Sequence, residues 1–279
     1  MTNTKIEWAT KAWNIVEGCT KVSTGCKHCY AERLSKRMRR DFSKVELHPE
    51  RLDQPRHWRD SQTVFVCSRS DPFHREVPSE FLSRAFDVMR ETPQHRYLLL
   101  TKRPELAYTT WNWPENVWLG VSVENQARAD ERIPLLLDTP AAVRFVSAEP
   151  LLGPLDLWGP RYQVPEGGRG SAFNWGRGIS WVIVGGESGG PENRQLVERC
   201  DCRARARKAK TPEELLDAFR HVSPCYGTPW RVKPEALKWV RDIRDQCQAA
   251  GVPFYFKQWG PRAGQGTLLD GNEHKEMPR

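Results

Sequence analysis

Six short apolar runs, each followed by polar residues and then by a helical stretch, constrain the fold of this 279-residue chain most strongly. Continuous apolar strands that alternate with helices indicate βα units and a parallel sheet buried on both faces. A barrel of this length commonly forms one domain. The pattern therefore predicts an α/β fold, a partial barrel of six to seven βα units, as a single domain over residues 1–279. The runs cover residues 63–67, 96–100, 117–121, 143–146, 180–184 and 252–256.

Helices can be placed from the spacing of apolar residues. Such residues recur at helical intervals from Pro78 to Arg90 and from Pro234 to Ala250. The segment 30–40 is rich in helix formers, and its basic face is either a solvated surface or a patch that contacts phosphates. Residues 5–8 are predicted to form a strand-like lead-in.

Polar residues collect where the predicted strands end. In barrels the functional site lies at the carboxyl ends of the strands, so these side chains are expected to lie close together. These residues have two interpretations: they form a functional site, or they are charged residues that stand where loops begin. Gly185 and Gly186 would allow a ligand to approach the backbone, and Asp71 with His74 would form an acid–base pair or a turn. The strand-end residues are Asp71, Lys102, Arg103, Glu124, Glu149, Glu187, Lys257 and Gln258.

A cluster of three cysteines near the N-terminus indicates a metal centre. Cys19, Cys26 and Cys29 have the spacing C-x6-C-x2-C, and a glycine precedes each of the first two. Cysteine thiolates bind zinc and iron–sulfur clusters. A closed zinc site needs four ligands, whereas three cysteines favour a [4Fe-4S] cluster with one iron left open. His28 as a fourth ligand keeps a zinc site as an alternative.

Composition indicates which partners and which cellular compartment to expect. The chain has a net charge of +8, which favours anionic partners such as nucleic acid. No apolar run is long enough for a membrane span, and the N-terminal residues show no signal region. We therefore expect a cytoplasmic protein with reduced cysteines and no membrane partner. Its twelve tryptophans either pack the barrel or stack on bases.

Two segments interrupt the βα rhythm. Residues 191–230 are predicted to be an insertion between the sixth and seventh strands. Their basic residues either form a helix without a ligand, or the insertion binds a metal. The candidate ligands are Cys200, Cys202, His221 and Cys225, in a loosely spaced pattern. Residues 261–279 carry no periodic apolar pattern and are predicted to be a C-terminal tail or lid.

The cysteine motif and the strand-end motifs together resemble the phage-associated three-Cys-motif family of radical-SAM-like proteins. The resemblance runs from about residue 6 to residue 275, apart from the insertion. It implies a partial barrel of radical SAM type in which Cys19, Cys26 and Cys29 hold a [4Fe-4S] cluster. S-adenosylmethionine would chelate the fourth iron and yield a 5′-deoxyadenosyl radical on reductive cleavage. The matching segments are residues 13–29, 70–74, 100–104, 119–124, 147–153, 184–189 and 256–260.

The resemblance also implies partners and roles. The usual cysteine spacing of this superfamily is C-x3-C-x2-C, so this chain carries a longer loop. A phage setting, a three-Cys-motif partner protein and an electron donor are expected. Lys102 or Arg103 would face the carboxylate of S-adenosylmethionine. The other expected cofactor contacts are Glu124, Glu149, Gly185, Gly186 and Glu187, and the expected catalytic residues are Asp71, Glu149 and Lys257.

The leading functional hypothesis is a radical-SAM-like enzyme that modifies a nucleic acid or a nucleotide-derived substrate in phage biology or defence. The first alternative is a non-catalytic nucleic-acid-binding protein that keeps an iron–sulfur cluster as a structural element. The second alternative is a zinc protein. Cleavage of S-adenosylmethionine and metal analysis would distinguish the three.

Overall fold

Seven strands pair side by side into one sheet, and every pairing in it is parallel. The spatial order of the strands is their order along the chain. Parallel neighbours need a crossover between them, and helices supply several of these crossovers. The strands of this sheet are β1 (Lys11–Trp13), β2 (Thr63–Val66), β3 (Arg96–Thr101), β4 (Val117–Ser122), β5 (Val143–Ala148), β6 (Trp181–Gly185) and β7 (Phe254–Gln258).

The structure is a computed structural model. It describes residues 4, 6–107, 112–158, 162–163, 169–170, 172–173, 178–187, 191, 194–200, 206–214, 230–260 and 266–278. Its helices are α1 (Tyr30–Arg37), α2 (Ser79–Glu91), α3 (Pro104–Ala107), α4 (Gln126–Leu137) and α5 (Pro234–Ala250). Single 3-10 turns cover Thr24–Cys26, Pro49–Arg51 and Gln54–His57.

The two faces of the sheet carry different side chains. On the outer face, alternate residues such as Val121, Val146 and Val184 pack with the helices into the main core. The inner face has a separate cluster of large side chains near the amino ends of the strands. Trp181 lies at its centre and makes aromatic contacts with Trp8, Trp118, Phe145 and Tyr255 at 5.6–6.3 Å between ring centroids.

The inner face changes character towards the carboxyl ends of the strands. Ser122, Ser147 and Lys257 occupy the next inward positions on β4, β5 and β7, beyond the aromatic floor. Small and polar side chains fill less of the interior than aromatic rings do. A cavity therefore remains above the floor, at the edge of the sheet where barrel enzymes carry their sites.

The predicted fold class is confirmed, since the sheet is an open, curled, parallel sheet of the partial-barrel type. All six predicted runs form strands, and the helices predicted at 78–90 and 234–250 are observed as α2 and α5. The predicted lead-in strand is wrong: Ile6 to Trp8 form no strand, and β1 begins at Lys11 instead. The physical reason is that Trp8 closes the floor by packing on Phe65, with 4.8 Å between ring centroids.

Shorter strand pairs lie outside the main sheet. Val197–Arg199 pairs antiparallel with Trp230–Val232 and brackets most of the predicted insertion. Of the four metal-ligand candidates in the insertion, the structure describes Cys200, whereas Cys202, His221 and Cys225 lie outside the described residues. Further antiparallel pairs join Val16–Glu17 to Glu46–Leu47, Tyr162–Gln163 to Arg169–Gly170, and Leu268–Leu269 to Asn272–Glu273.

The described part of the C-terminal tail runs along the open edge of the sheet. Tyr255 of β7 forms an antiparallel bridge to Lys275, and the Phe256 amide donates to the His274 carbonyl over 2.8 Å. Residues 261–265 lie outside the described residues, so the lid role of the tail stays a prediction. Over the described residues, none of the helices is both long and apolar enough to cross a membrane.

Candidate metal centre

The three cysteines lie on one loop that is fastened to the carboxyl edge of the sheet. Gly18 forms a parallel bridge to Ser70, and the Cys19 amide donates to the Phe42 carbonyl over 2.8 Å. Cys26 ends the Thr24–Cys26 turn, and Cys29 directly precedes the first residue of α1. All three thiols are free and partly exposed, so the loop presents them to the space above the sheet.

A cavity of about 280 Å³ connects this loop to the inner face of the sheet. Its wall includes all three cysteines of the loop and Lys257 of β7. Nine of the twelve predicted site residues line it, whereas Arg103, Glu124 and Gly185 do not. The nine are Cys19, Cys26, Cys29, Asp71, Lys102, Glu149, Gly186, Glu187 and Lys257.

The candidate metal donors on the loop are three thiols and one imidazole. Among the described residues, no three His, Cys, Asp or Glu side chains converge on a point where one metal ion would bind. Cysteine thiolates bind both zinc and iron–sulfur clusters, so the three thiols of the loop are compatible with either. The Nε2 atom of His28 is buried beside the cavity and has no hydrogen-bond partner among the residues that the structure describes. An orphaned polar atom between two candidate ligands is consistent with a polar group bound there.

The pKa of the Cys19 thiol is raised to about 11, chiefly by burial and further by the negative charge of Asp71. In the metal-free protein this sulfur is therefore protonated at neutral pH. A thiolate ligand must lose its proton when a metal binds, so loading of the site releases protons.

Arg103 fastens the first part of the loop, and Asp71 binds the segment that carries Arg103. The Arg103 guanidinium donates to the carbonyl and to the hydroxyl of Thr20, over 2.9 and 2.8 Å. The same hydroxyl lies 2.8 Å from Nε2 of His74. Asp71 accepts from the Thr101 hydroxyl at 2.7 Å and from the Lys102 amide at 2.9 Å. Both predicted site residues are thus engaged with neighbouring protein atoms.

Glu124 fastens the middle of the loop from below. Its carboxylate accepts from the Gly25 amide at 3.2 Å and from the Arg132 guanidinium at 3.0 Å. Burial opposes ionisation, but a hydrogen bond from Ser23 and the charge of Arg132 hold the pKa of Glu124 below its ordinary value. Glu124 is completely buried, and it contacts the loop rather than the cavity.

Glu187 fastens the loop through an arginine. Arg194 donates from two nitrogens to the Glu187 carboxylate, over 2.8 and 3.1 Å, and from one of them to the Thr24 carbonyl at 2.8 Å. The bidentate pair orients the guanidinium, and one of its two nitrogens also donates to the backbone beside Gly25. Three charged side chains from different parts of the chain thus contact the loop.

A charged pair occupies the inner end of the cavity. The Lys257 ammonium lies 2.9 Å from the Glu149 carboxylate, and both side chains are largely buried. Burial disfavours the charged lysine, but the Glu149 charge outweighs that effect and raises the pKa of Lys257 above its ordinary value. The resting cavity therefore contains a cationic donor beside an anionic acceptor.

Gly185 and Gly186 lie where a side chain would collide with other parts of the protein. A Cβ atom on Gly185 would lie 2.5 Å from the Glu149 carboxylate, and one on Gly186 would lie 2.2 Å from the Trp259 carbonyl. These two glycines thus allow a close approach of neighbouring protein atoms.

Lys102 lines the cavity, and its ammonium has no carboxylate within ion-pair distance among the described residues.

One family matches most of the chain. The family described as "Protein of unknown function (DUF5131)" matches residues 3–212 and 228–278. The chain belongs to this family. The stretch that the match leaves out, residues 213–227, lies within the predicted insertion. No curated protein matches the sequence.

Solved structures of one enzyme are similar to this DUF5131 protein. Spore photoproduct lyase complexed with dinucleoside spore photoproduct is 13% identical, with a TM-score of 0.48 over 89% of this chain and 75% of that chain. A double mutant of that enzyme with bound AdoMet and dinucleoside spore photoproduct is also 13% identical, with a TM-score of 0.47 over the same shares. A likeness at this level does not establish a shared activity.

Sequence reasoning missed several residues that hold the loop of this DUF5131 protein. Arg132 lies inside a helical pattern and Arg194 inside the predicted insertion, and neither has a local motif. Glu17 was also missed, although it forms ion pairs with Arg40, Arg51 and Arg69 beside Gly18. A signal for the backbone contacts was present, namely the glycine before each of the first two cysteines.

Proposed function

We propose that this protein is a radical-SAM-like enzyme that modifies a nucleic acid or a nucleotide-derived substrate. The observation that carries the proposal is that Cys19, Cys26 and Cys29 line the same cavity as the Glu149–Lys257 pair. The cysteines would offer thiolate ligands for a [4Fe-4S] cluster, and the charged pair would bind a substrate in the same cavity.

The cofactors would be a [4Fe-4S] cluster and S-adenosylmethionine, which together supply one-electron chemistry when they are bound. Cys19, Cys26 and Cys29 would hold the cluster. Lys102 would attract the carboxylate of S-adenosylmethionine, because it lines the cavity and has no carboxylate within ion-pair distance among the described residues. Gly186 and Glu187, which also line the cavity, would contact the rest of that cofactor.

The substrate would bind towards the inner end of the cavity. Lys257 donates and Glu149 accepts hydrogen bonds there, which suits a polar edge such as that of a nucleobase. The buried aromatic side chains of the floor lie below this pair. A substrate that closes the cavity would exclude water, which strengthens the hydrogen bonds that orient the substrate and protects a reactive species from side reactions.

The biological setting follows from the sequence resemblance alone and stays a prediction. It comprises phage biology or defence, a three-Cys-motif partner protein and an electron donor. The predicted catalytic roles of Asp71, Glu149 and Lys257 likewise stay proposals.

The test is anaerobic purification and reconstitution, followed by reduction with dithionite in the presence of S-adenosylmethionine. We expect about four irons and four sulfides per chain and the appearance of 5′-deoxyadenosine by chromatography. The variant Cys26→Ala should lose the cluster. The variant Cys247→Ala is the matched control, because Cys247 is buried in α5 away from the cavity and should not affect iron content.

Two outcomes would contradict the proposal. A full cluster that leaves S-adenosylmethionine intact under reduction would favour a non-catalytic iron–sulfur protein that binds nucleic acid. Stoichiometric zinc that survives anaerobic handling with iron in excess, and that is lost in Cys26→Ala, would instead favour the zinc protein.

A further inference from the structure

The segment that contains the cysteines also carries most of the excess positive charge of the protein. Residues 21–44 hold eight basic and two acidic side chains, a net charge of +6 against +8 for the whole chain. All eight basic residues are exposed. We call residues 21–44 the basic segment. Its basic residues are Lys21, Lys27, Arg33, Lys36, Arg37, Arg39, Arg40 and Lys44.

Ion pairs within the protein neutralise only part of this charge. Glu32 is the sole acidic residue of α1, and it pairs with Lys21 at 3.0 Å and Lys36 at 3.1 Å. Arg37 and Arg39, at the end of the helix, have no carboxylate within ion-pair distance in the part of the chain that the structure describes. A concentrated and partly unpaired positive charge attracts a polyanion, and nucleic acid presents regularly spaced phosphates.

The basic segment forms one wall of the cavity. Lys21, Tyr30 and Phe42 all line it together with the three cysteines. A polyanion bound to the exposed side of the segment would therefore lie beside the cavity. The positive charge of the basic segment is thus adjacent to the proposed substrate site.

Tyr30 is placed at that opening as a flat, exposed and oriented ring. Its relative exposure is 47%, the highest among the large hydrophobic side chains found exposed in the described residues. Its hydroxyl donates to the Ser68 carbonyl over 3.0 Å, which limits rotation of the ring. Aromatic rings flanked by cations are the usual platform on which unpaired bases stack in single-strand-binding proteins.

We propose that the basic segment binds single-stranded nucleic acid and that Tyr30 stacks on an unpaired base at the opening of the cavity. The phosphates would contact the arginines of α1 and of the residues that follow it. This inference deepens the proposed function and rests on it in naming the substrate class, but binding is measurable without any cleavage of S-adenosylmethionine.

The test is fluorescence anisotropy with a labelled oligothymidine of about twelve nucleotides, under anaerobic conditions, with the cluster-loaded protein and without S-adenosylmethionine. The variant Arg33→Glu/Arg37→Glu/Arg39→Glu reverses three charges of the segment. We expect its affinity to fall at least tenfold, and the slope of log affinity against log salt to decrease by about 2, since each phosphate contact contributes about 0.7 for a single strand.

The matched control is Arg59→Glu/Arg84→Glu/Lys238→Glu. It changes the net charge equally, and its three residues are exposed and do not line the cavity. We expect the control to retain most of the affinity. Circular dichroism and iron content should match the unmodified protein for both triple variants, which separates lost binding from lost folding.

Substitution of Tyr30 tests the stacking step. Tyr30→Ala should weaken binding about tenfold with an unchanged salt slope, because stacking does not release counterions. Tyr30→Phe keeps the ring, loses only the hydrogen bond to Ser68, and should bind nearly as well as the unmodified protein. An oligothymidine annealed to its complement should compete poorly, since its bases are already paired.

Equal losses of affinity in the two triple variants would overturn the proposal, because binding would then follow net charge alone. Binding to vesicles that contain phosphatidylserine, without binding to the oligonucleotide, would assign the segment to membranes and would equally overturn it. Failure of the proposed function is seen separately, as absence of 5′-deoxyadenosine from a protein that still binds the oligonucleotide.

Discussion

Buried charges near the cysteine loop contact backbone atoms, and this shapes what single substitutions should do. Arg103, Glu124 and Arg194 donate to or accept from Thr20, Gly25 and Thr24, respectively. A buried charged group that binds the loop backbone also needs partners for its other polar atoms, because an unpaired buried charge destabilises the folded protein. The loop is therefore sensitive to residues that never contact a ligand.

Glu124→Gln should strongly destabilise the protein. Arg132 is 1% exposed and its carboxylate partner is fully buried, so the substitution leaves a buried guanidinium without its counter-charge. We expect the free energy of unfolding to fall by about 3–5 kcal/mol. Urea unfolding of the metal-free protein measures the change.

Glu131→Gln is the control for Glu124→Gln. Glu131 lies on the same helix and pairs with Arg128, but its side chain is 52% exposed. Its removal should cost less than about 1 kcal/mol. A similar small loss in Glu124→Gln would show that the buried pair does not stabilise the fold.

Glu17 should contribute to the pH dependence of stability. Burial opposes ionisation, but a hydrogen bond from Arg51, with the charges of Arg51 and Arg69, lowers the pKa of Glu17 in the folded protein. Because the pKa of Glu17 is lower in the folded protein than in the unfolded protein, its ionised form stabilises the fold at pH values above the unfolded-state pKa. This stabilisation is lost as the pH falls through the folded-state pKa. Unfolding between pH 6 and pH 3 should therefore show a steeper loss of stability in the unmodified protein than in Glu17→Gln. Parallel curves for the two proteins would contradict the assignment.

At the scale of elements, the cysteine loop depends on a backbone conformation that only glycine adopts easily. Gly18 has a φ of 86°, and a Cβ atom on it would lie 2.0 Å from the Lys44 carbonyl. The obstructing atom belongs to the backbone, so no side-chain rotation relieves the contact. The residue before Cys19 is therefore restricted twice, by conformation and by space.

Gly18→Ala should displace the loop and weaken metal retention. We expect faster loss of iron to a chelator and a lower melting temperature than in the unmodified protein. Gly251→Ala is the control, since Gly251 also has a positive φ, of 66°, but the described part of the chain places no atom within 4 Å of the added Cβ. The control isolates the conformational cost, about 1–2 kcal/mol, and should retain iron normally. Equal iron loss in both variants would refute the steric argument.

At the scale of the whole molecule, the tail closes an edge that the open sheet would otherwise expose. The amide of Phe256 donates to the His274 carbonyl, and that of Phe254 donates to the Glu276 carboxylate. Arg241 and Arg244 of α5 also bind Asp270 in the hairpin of the tail. Unpaired edge strands promote association between molecules, so the tail protects the sheet.

Removal of residues 261–279 should lower the melting temperature and cause self-association. The exposed amides of β7 would then be free to pair with a second molecule. Light scattering after size-exclusion chromatography measures the association. Asp270→Asn, which weakens only the arginine pairs, should remain as monodisperse as the unmodified protein. A truncated protein that stays equally monodisperse would show that the tail does not protect this edge.

Much of the architecture was accessible from the sequence because it depends on local patterns. Apolar runs of strand length specify buried parallel strands, and apolar spacing specifies α2 and α5. One local signal was overlooked. Asp270-Gly271, both with positive φ, connects the hairpin of the tail, and this dipeptide is typical of two-residue turns.

The sequence by itself determined the parallel sheet, the edge at which polar residues gather and the identity of the three candidate thiolate ligands. Only the tertiary structure decided which charged residues contact the cavity and which hold the loop. Glu124 and Glu149 follow neighbouring strands in the same way, yet one is buried under Gly25 and the other pairs with Lys257 inside the cavity. The physical reason is that burial and pairing depend on residues distant in sequence, whereas strand periodicity depends on near neighbours.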